Sequence, residues 1–288
     1  MQDGAAGEEA AEQIKYQQVE DVSGTDAQAI LMMAKELVAV PDGDNVWLSH
    51  ERAKAAKLPL QQAVAILEHV PIIGHDLKHF LKSLLAAYPE VKLPEIHHDT
   101  SQGSFLLNPL RKSRLLTDLI GAETLDDPKQ QIGAIWALYE EQSKALDSLP
   151  KLAHVARTID FPLIPVLARM EVRGLRLDSA QLATMNAELT GHIADIQARM
   201  FEMVGYEFNI ASPTQLAEVL FTKLQLPTAG VKRGKTGLST GQKELDKLRG
   251  QHPIIELIEQ FRELTKLQNT YVESLPKLID EHSRIHTT

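Results

Sequence analysis

From about residue 128 to Tyr271 the chain carries helical patterning with no strand signal, and each helix has its own punctuation. Gln131–Leu149 reads as one helix ended by Pro150, and Phe161–Arg173 as another stopped by Gly174. Ser179–Val204 is framed by a cap at Asp178 or Ser179 and a stop at Gly205. Ser212-Pro213 opens a further helix in the favoured order, Ser at the cap and Pro at the first helical position. His252-Pro253 begins the last long helix, which runs through Tyr271, and residues 227–239 form a basic loop. A stretch like this has few solutions other than helix packed on helix.

The first half reads differently. Asn45-Val46-Trp47-Leu48 follows the turn residues Pro41-Asp42-Gly43-Asp44 and predicts a hairpin strand. Residues 70–74 are apolar and bounded by Pro and Gly, as a buried strand requires, and 95–99 predict a second short strand. Helical spacing covers 61–69, 76–88, 100–107 and 113–120, so strands alternate with helices as in an α/β layer domain. Residues 27–40 read as one apolar segment capped by Asp26, and the pattern turns helical from Ser49. Residues 1–25 hold six acids and one Lys, too little apolar surface to offset ordering entropy, and predict an acidic linker. The expected divisions are therefore 1–25, 26–150 and 151–288.

Composition narrows the chemistry. Cysteine is absent, which excludes disulfides, thiolate metal sites and cysteine nucleophiles. No apolar run approaches the roughly 20 residues of a membrane span, and an acidic N-terminus is unlike a signal peptide, so a cytoplasmic protein is expected. The net charge of −9 conceals an asymmetry: residues 1–150 hold 13 cations and 23 acids, residues 151–288 hold 17 and 16.

Four groups of residues are candidates for function. The acids of the first half (Asp42, Asp44, Asp76, Asp99) sit at turns, and no Asp-x-Glu pair marks a two-metal site, so they read as solvated loop acids. His97-His98-Asp99 and the His75/His79 pair lack a third ligand and read as surface histidines. Residues 221–250 carry seven cations and two acids, interleaved with Gly, Ser and Thr that let phosphates approach closely. Gly234-Lys235-Thr236 superficially resembles a phosphate-binding loop but lacks the upstream Gly and preceding strand. On the last helix Arg262, Lys266, Asn269 and Thr270 fall on one face, read as donors without compensating acids, opposite a stripe of Leu264, Leu267 and Tyr271.

The second half resembles the opening of the polymerase domain of family A DNA polymerases, the bacterial DNA polymerase I type. The resemblance runs over about 160–288. It starts at Pro162-Leu163-x-x-Val166-Leu167-Ala168-x-Met170-Glu171-x-x-Gly174 and passes through Gly205-Tyr206-Glu207-Phe208-Asn209-Ile210-Ala211-Ser212. It continues with Lys235-Thr236-Gly237-Leu238-Ser239-Thr240, Arg262-Glu263-Leu264-x-Lys266-Leu267-x-x-Thr270-Tyr271 and Arg284-Ile285-His286-Thr287. The resemblance implies a mainly helical thumb and palm-base segment that grips primer–template duplex by its backbone. The implied contacts are Asn209, Ser212, Lys235, Thr236, Ser239, Thr240, Arg262, Lys266 and Thr270. Ala211 and Gly241 replace residues that add contacts in the family.

The first half resembles, more weakly, the family's 3′–5′ exonuclease domain, which has a ribonuclease H-like α/β fold. Phe80 stands where that domain carries a metal-binding Asp, and residues 134–138 (Ala-Ile-Trp-Ala-Leu) where it carries Tyr and the last Asp. A degenerate, inactive exonuclease-like domain is implied. In the family the palm carboxylates that hold two magnesium ions lie beyond the position of Thr288. The expectation is thus a piece of a polymerase acting in DNA replication and repair, with no catalytic residue, metal ligand, cofactor or obligate protein partner within the chain and a place near the nucleoid. An active proofreading exonuclease and a helical protein-interaction module are the alternatives.

Overall fold

The computed structural model describes residues 14–24, 26–234 and 237–287, which form two compact units, one running to Arg173 and the other Gly174–Thr287. The first unit is built on a six-stranded sheet in the order β1-β4-β3-β2-β5-β6. Its strands are β1 (Glu20–Asp21), β2 (Leu37–Asp42), β3 (Asn45–Glu51), β4 (Lys54–Pro59), β5 (Ile72–Gly74) and β6 (Ile96–Asp99). β2, β3 and β4 form an antiparallel meander, β5 and β6 extend it in parallel beyond β2, and β1 joins β4 in parallel. The expected hairpin is present, with Val40 opposite Trp47 and Gly43 at φ +60 in its turn.

β2 shows why the unit forms. Successive side chains of a strand point to opposite faces. Leu37 and Ala39 enter one cluster with Val46, Leu48, Ile72 and Ile96. Val38 and Val40 enter the other with Trp47, Ile73, Ile132, Ile135 and Trp136. With both faces covered, the strand is apolar throughout rather than alternating.

The helices of this unit are α1 (Ala27–Met32), α2 (Leu60–Leu67), α3 (Leu77–Ala87), α4 (Thr100–Leu107), α5 (Leu116–Ile120), α6 (Pro128–Asp147), α7 (Pro150–Val155) and α8 (Phe161–Arg173). A π-helical segment, Ala156–Asp160, joins α7 to α8. Asp26 stands before α1 but makes no capping bond, and the segment read as one, 27–40, divides into α1 and β2 because the β-branched alternation of 37–40 wins a place in the sheet. The helical reading after Ser49 is also corrected. β3 runs on to Glu51 and β4 follows, although Lys54-Ala55-Ala56-Lys57 are good helix formers, because ladder pairing overrides weak propensity. Pro150 starts α7 rather than only closing α6.

Residues 14–21 are not a linker. Val19 is buried in the sheet cluster, the Ile14 N–H donates to the Ile120 carbonyl at 3.1 Å, and β1 edges the sheet. Residues 1–13 of the expected linker lie outside the described residues. At Gly133 on α6 an added Cβ would stand 2.5 Å from the Gln17 carbonyl oxygen. Gly133→Val is therefore expected to lift residues 14–21 off α6. Amide exchange at Val19 and Glu20 would then speed up at least tenfold, whereas unchanged protection would show that this packing is unimportant.

The division between units falls after Arg173, later than the expected 150. Phe161, Ile164 and Ala168 of α8 are buried in the first unit's core, and Glu171 pairs with Lys78 and Lys82 of α3 at 2.7 and 2.8 Å.

The second unit is helical, as expected. It comprises α9 (Ser179–Val204), α10 (Pro213–Ala217), α11 (Gln242–Leu248) and α12 (Ile254–Leu267), with π-helical segments at Glu218–Lys223 and Gln268–Val272. Asp178 caps α9 by accepting from the Gln181 N–H at 3.0 Å, and Gly205 ends it at φ +88. Ile196, Met200 and Val204 of α9 pack on Ile254, Ile258 and Phe261 of α12 and on Leu216, Leu220 and Leu245. Two small antiparallel pairs complete it, β7 (Leu175–Arg176) with β10 (Arg284–Ile285) and β8 (Arg233–Gly234) with β9 (Gly237–Leu238). The hairpin β8–β9 lies inside the stretch read as a basic loop.

Candidate nucleic-acid interface

The loop before α10 orders itself. The Asn209 side-chain oxygen accepts from the Ala211 N–H at 3.0 Å, and Gln215 reaches back to accept from the Asn209 N–H at 2.7 Å. Ser212 caps α10 by accepting from the Gln215 N–H at 3.5 Å. This is a capping box whose Gln reaches past the cap residue. The Ser212 oxygen is engaged, but its O–H hydrogen remains available to an outside acceptor.

α10 packs against β9. Beyond β9, the Ser239 N–H closes the hairpin on the Lys232 carbonyl at 2.8 Å, while its hydroxyl accepts from the Gly241 N–H at 3.2 Å. Ser239 therefore also keeps a hydrogen to donate. Gly237 sits at φ +131, which requires glycine. Lys235 and Thr236 lie outside the described residues. Glu244, which the sequence did not single out, holds the hairpin base. It accepts from the Lys232 N–H at 3.1 Å and pairs with Lys247 at 2.6 Å. The Lys247 ammonium, foremost among its partners, holds this carboxyl below the usual range.

Thr240 is only 4% exposed, so its side chain is no surface contact. Its carbonyl accepts from Arg262 Nη1 at 2.8 Å, which ties the end of the hairpin to α12. Burial lowers the Arg262 pKa, opposed by the nearby Glu259 charge. Lys266, one turn further on, is exposed at an open cavity of about 580 Å³ that it shares with Arg262.

The reading of this helix face as donors alone is corrected, because Glu256, Glu259 and Glu263 line the same cavity. Glu259 is engaged by Arg249 at 3.0 Å and by the Gln242 amide at 2.6 Å. Thr270 lies beyond α12 in the π-helical segment, exposed, its carbonyl accepting from the Ser274 hydroxyl. Gln268 fastens this segment to α9 by donating to Asn186 and Thr190 at 2.9 and 2.8 Å. The structure thus joins Thr240, next in the chain to Ser239, to Arg262, and sets Lys266 at the cavity that Arg262 lines. The Gln242–Glu259–Arg249 cluster escapes sequence reading because its members come from different turns and helices.

In the first unit, the positions matched to exonuclease acids are core. Phe80 is 4% exposed, and Trp136 donates from its ring nitrogen to the buried Ser49 hydroxyl at 3.0 Å. Among the described residues no group of three or more His, Asp or Glu side chains is placed to hold a metal ion. These residues do not fit the two-metal site of a nuclease and support no hydrolytic step.

The surface-histidine reading is corrected at His98. Its ring bonds the Gln142 side-chain oxygen at 2.8 Å, and burial pushes its pKa down to about 4. His97, next to it on β6, is exposed and bonds the Tyr139 hydroxyl at 2.9 Å. Asp99 is buried too. It accepts from Ser101 and Gln102 N–H groups at the start of α4 and from the Leu77 N–H at the start of α3. Burial raises its pKa to about 6 despite those three bonds.

Comparison with known proteins bears on the second unit most directly. Residues 179–288 match the family model for DNA polymerase family A. DNA polymerase I of Helicobacter pylori (strain ATCC 700392 / 26695) is 36% identical over 241 residues, 77% of this chain and 26% of that protein. DNA polymerase I of Geobacillus stearothermophilus is 41% identical over 161 residues, 55% of this chain and 18% of that protein. The chain thus spans about a quarter or less of the length of these curated relatives. Among solved structures, the POL domain of Pol1 from M. smegmatis, in complex with DNA primer-template and dNTP, shares the fold. Its TM-score is 0.72 at 22% identity, covering 93% of this chain and 52% of that one. By its helical segment and its relatives, the chain belongs to DNA polymerase family A, in the bacterial DNA polymerase I type.

Proposed function

We propose that the second unit binds primer–template duplex through its phosphate backbone, as part of a DNA polymerase acting in replication and repair. The observation that carries this reading is the joining of the β8–β9 hairpin to α12 through Arg262 and the Thr240 carbonyl. That bond ties Thr240, next in the chain to Ser239, to the helix that carries the exposed Lys266, and α10, which Ser212 caps, packs against β9. Hydroxyl and ammonium donors on a rigid scaffold suit phosphate oxygens and carry no base preference. Asn209, Lys235, Thr236 and Thr270 complete the contact set, and Thr240 and Arg262 hold it in place.

We propose also that the first unit is a degenerate 3′–5′ exonuclease-like domain of the ribonuclease H-like class. An antiparallel meander extended by two parallel strands supports it, and apolar residues at the metal-ligand positions make it inactive.

Hydrogen exchange tests the interface. Adding primer–template duplex should slow the amides of residues 209–215 and 237–241 several-fold and leave β2 and β5 unchanged. Protection confined to the first unit, or none at all, would refute the assignment.

A further inference from the structure

The cavity that Arg262 and Lys266 share is lined by a further cation, Arg249, which the duplex contacts proposed above do not use. Arg249 stands at the end of α11, just before Gly250 turns the chain toward α12 at φ +77. Its side chain is 59% exposed, yet carboxylates hold it on two sides. Arg249 Nε donates to both Glu259 oxygens at 3.1 Å, and Nη2 donates to Glu259 Oε1 at 3.0 Å. Asp246 Oδ1 lies 3.3 Å from the same Nη2. Glu259, foremost among these partners, raises the Arg249 pKa. The positive charge of Arg249 is therefore neutralised within the unit.

The carboxylate is held more firmly than the cation. The Glu259 side chain is only 18% exposed, and its Oε1 also accepts from the Gln242 amide at 2.6 Å. Gln242 donates in turn to Asp246 at 3.1 Å, so α11 and α12 together fix the acceptor. Arg249 has a long stem and reaches the surface, where an ion pair contributes little in water. A phosphate matches the guanidinium fork as well as a carboxylate does. A phosphate that enters this cavity thus competes with Glu259 for one cation, and it is also repelled by the Glu259 charge.

We infer that Glu259 limits the strength of the duplex grip by holding Arg249 away from phosphate, so that Arg249 is a backbone contact kept in reserve. This role rests on the duplex reading above and deepens it. Glu259 touches no phosphate itself and acts through Arg249.

Fluorescence anisotropy of a labelled primer–template duplex against the full chain, over ~50–200 mM salt, tests it. Glu259→Gln keeps the length of the side chain and an oxygen for the Gln242 amide, while it removes the charge that holds Arg249. It should tighten binding about fivefold at ~50 mM salt and steepen the log–log slope by about 0.9, the value of one added phosphate contact. Made in an Arg249→Gln background, the same change should leave the slope where it stood, because no cation is released. Asp246→Asn, at an exposed position, loosens the same arginine from its other side and guards against misfolding at Glu259. It should tighten binding about twofold, and only with Arg249 present. A Glu259→Gln slope equal to the parent's, or one that steepens as much without Arg249, overturns the role of Glu259 while the parent's duplex binding stands. A parent that ignores duplex at ~50 mM salt overturns the duplex reading and this role with it.

Discussion

Asp99→Asn gains stability relative to the parent as pH rises from about 4 to about 6, by roughly 3 kcal/mol or on the order of 10 °C in melting temperature. The sign follows from where the proton sits. Burial raises the Asp99 pKa from 3.8 to about 6, so the folded chain keeps this proton over a range in which the unfolded chain has lost it. Stability conferred by the protonated group is complete below about 3.8 and is lost as pH rises to about 6. Asparagine does not titrate and escapes the loss. It keeps an oxygen for the Ser101 and Gln102 N–H groups but presents an amide to the Leu77 N–H, so a fixed cost of about 1 kcal/mol applies at every pH.

The neighbouring His98 works in the opposite sense. Its pKa is depressed by burial to about 4, so its contribution grows as pH rises from about 4 to 6.5. In the parent the two residues offset one another. Thermal unfolding of both proteins at intervals between pH 4 and 7 checks this, and parallel profiles would contradict it.

Lys266→Glu is expected to weaken binding of primer–template duplex at least tenfold at ~50 mM salt and to reduce the salt slope by about 0.9 or more. The effect should be the same on every duplex sequence, because a phosphate contact carries no base information. Lys266 is exposed, so the melting temperature should hold. Arg262→Glu is a poorer probe. It removes the bond to the Thr240 carbonyl and leaves a half-buried carboxylate, so hairpin placement and charge are lost together. Equal duplex affinity for the Lys266 variant and the parent would remove this residue from the interface.

The residues that made the fold legible were those whose local chemistry and tertiary setting agree. Asp178 and Gly205 frame α9, Ser212-Pro213 opens α10, and Gly43 closes the β2–β3 hairpin as the sequence predicts. Lys54-Ala55-Ala56-Lys57 misleads, because a helical propensity of a few tenths of a kcal/mol per residue yields to pairing with β3. Residues 14–21 mislead for another reason. Their three apolar side chains, Ile14, Tyr16 and Val19, are too widely spaced to mark an element, yet each finds a cluster on the sheet or beside α5.

The candidate site was legible as a set of donor types but not as an arrangement. Nothing in the sequence shows that the Thr240 side chain turns inward while its carbonyl holds Arg262, or that Glu259 shares the cavity of Lys266. Likewise His98 and Asp99 look like surface residues until α4 and α6 close over them.

The central claim is that the helical unit grips duplex by its phosphates. Fluorescence anisotropy of a labelled primer–template duplex, titrated with this chain between ~50 and 200 mM salt, measures it directly. With Lys235 and Lys266 as the assigned phosphate cations, log affinity should fall against log salt with a slope of about −2. Binding with a slope near zero, or no binding at ~50 mM, would contradict the account.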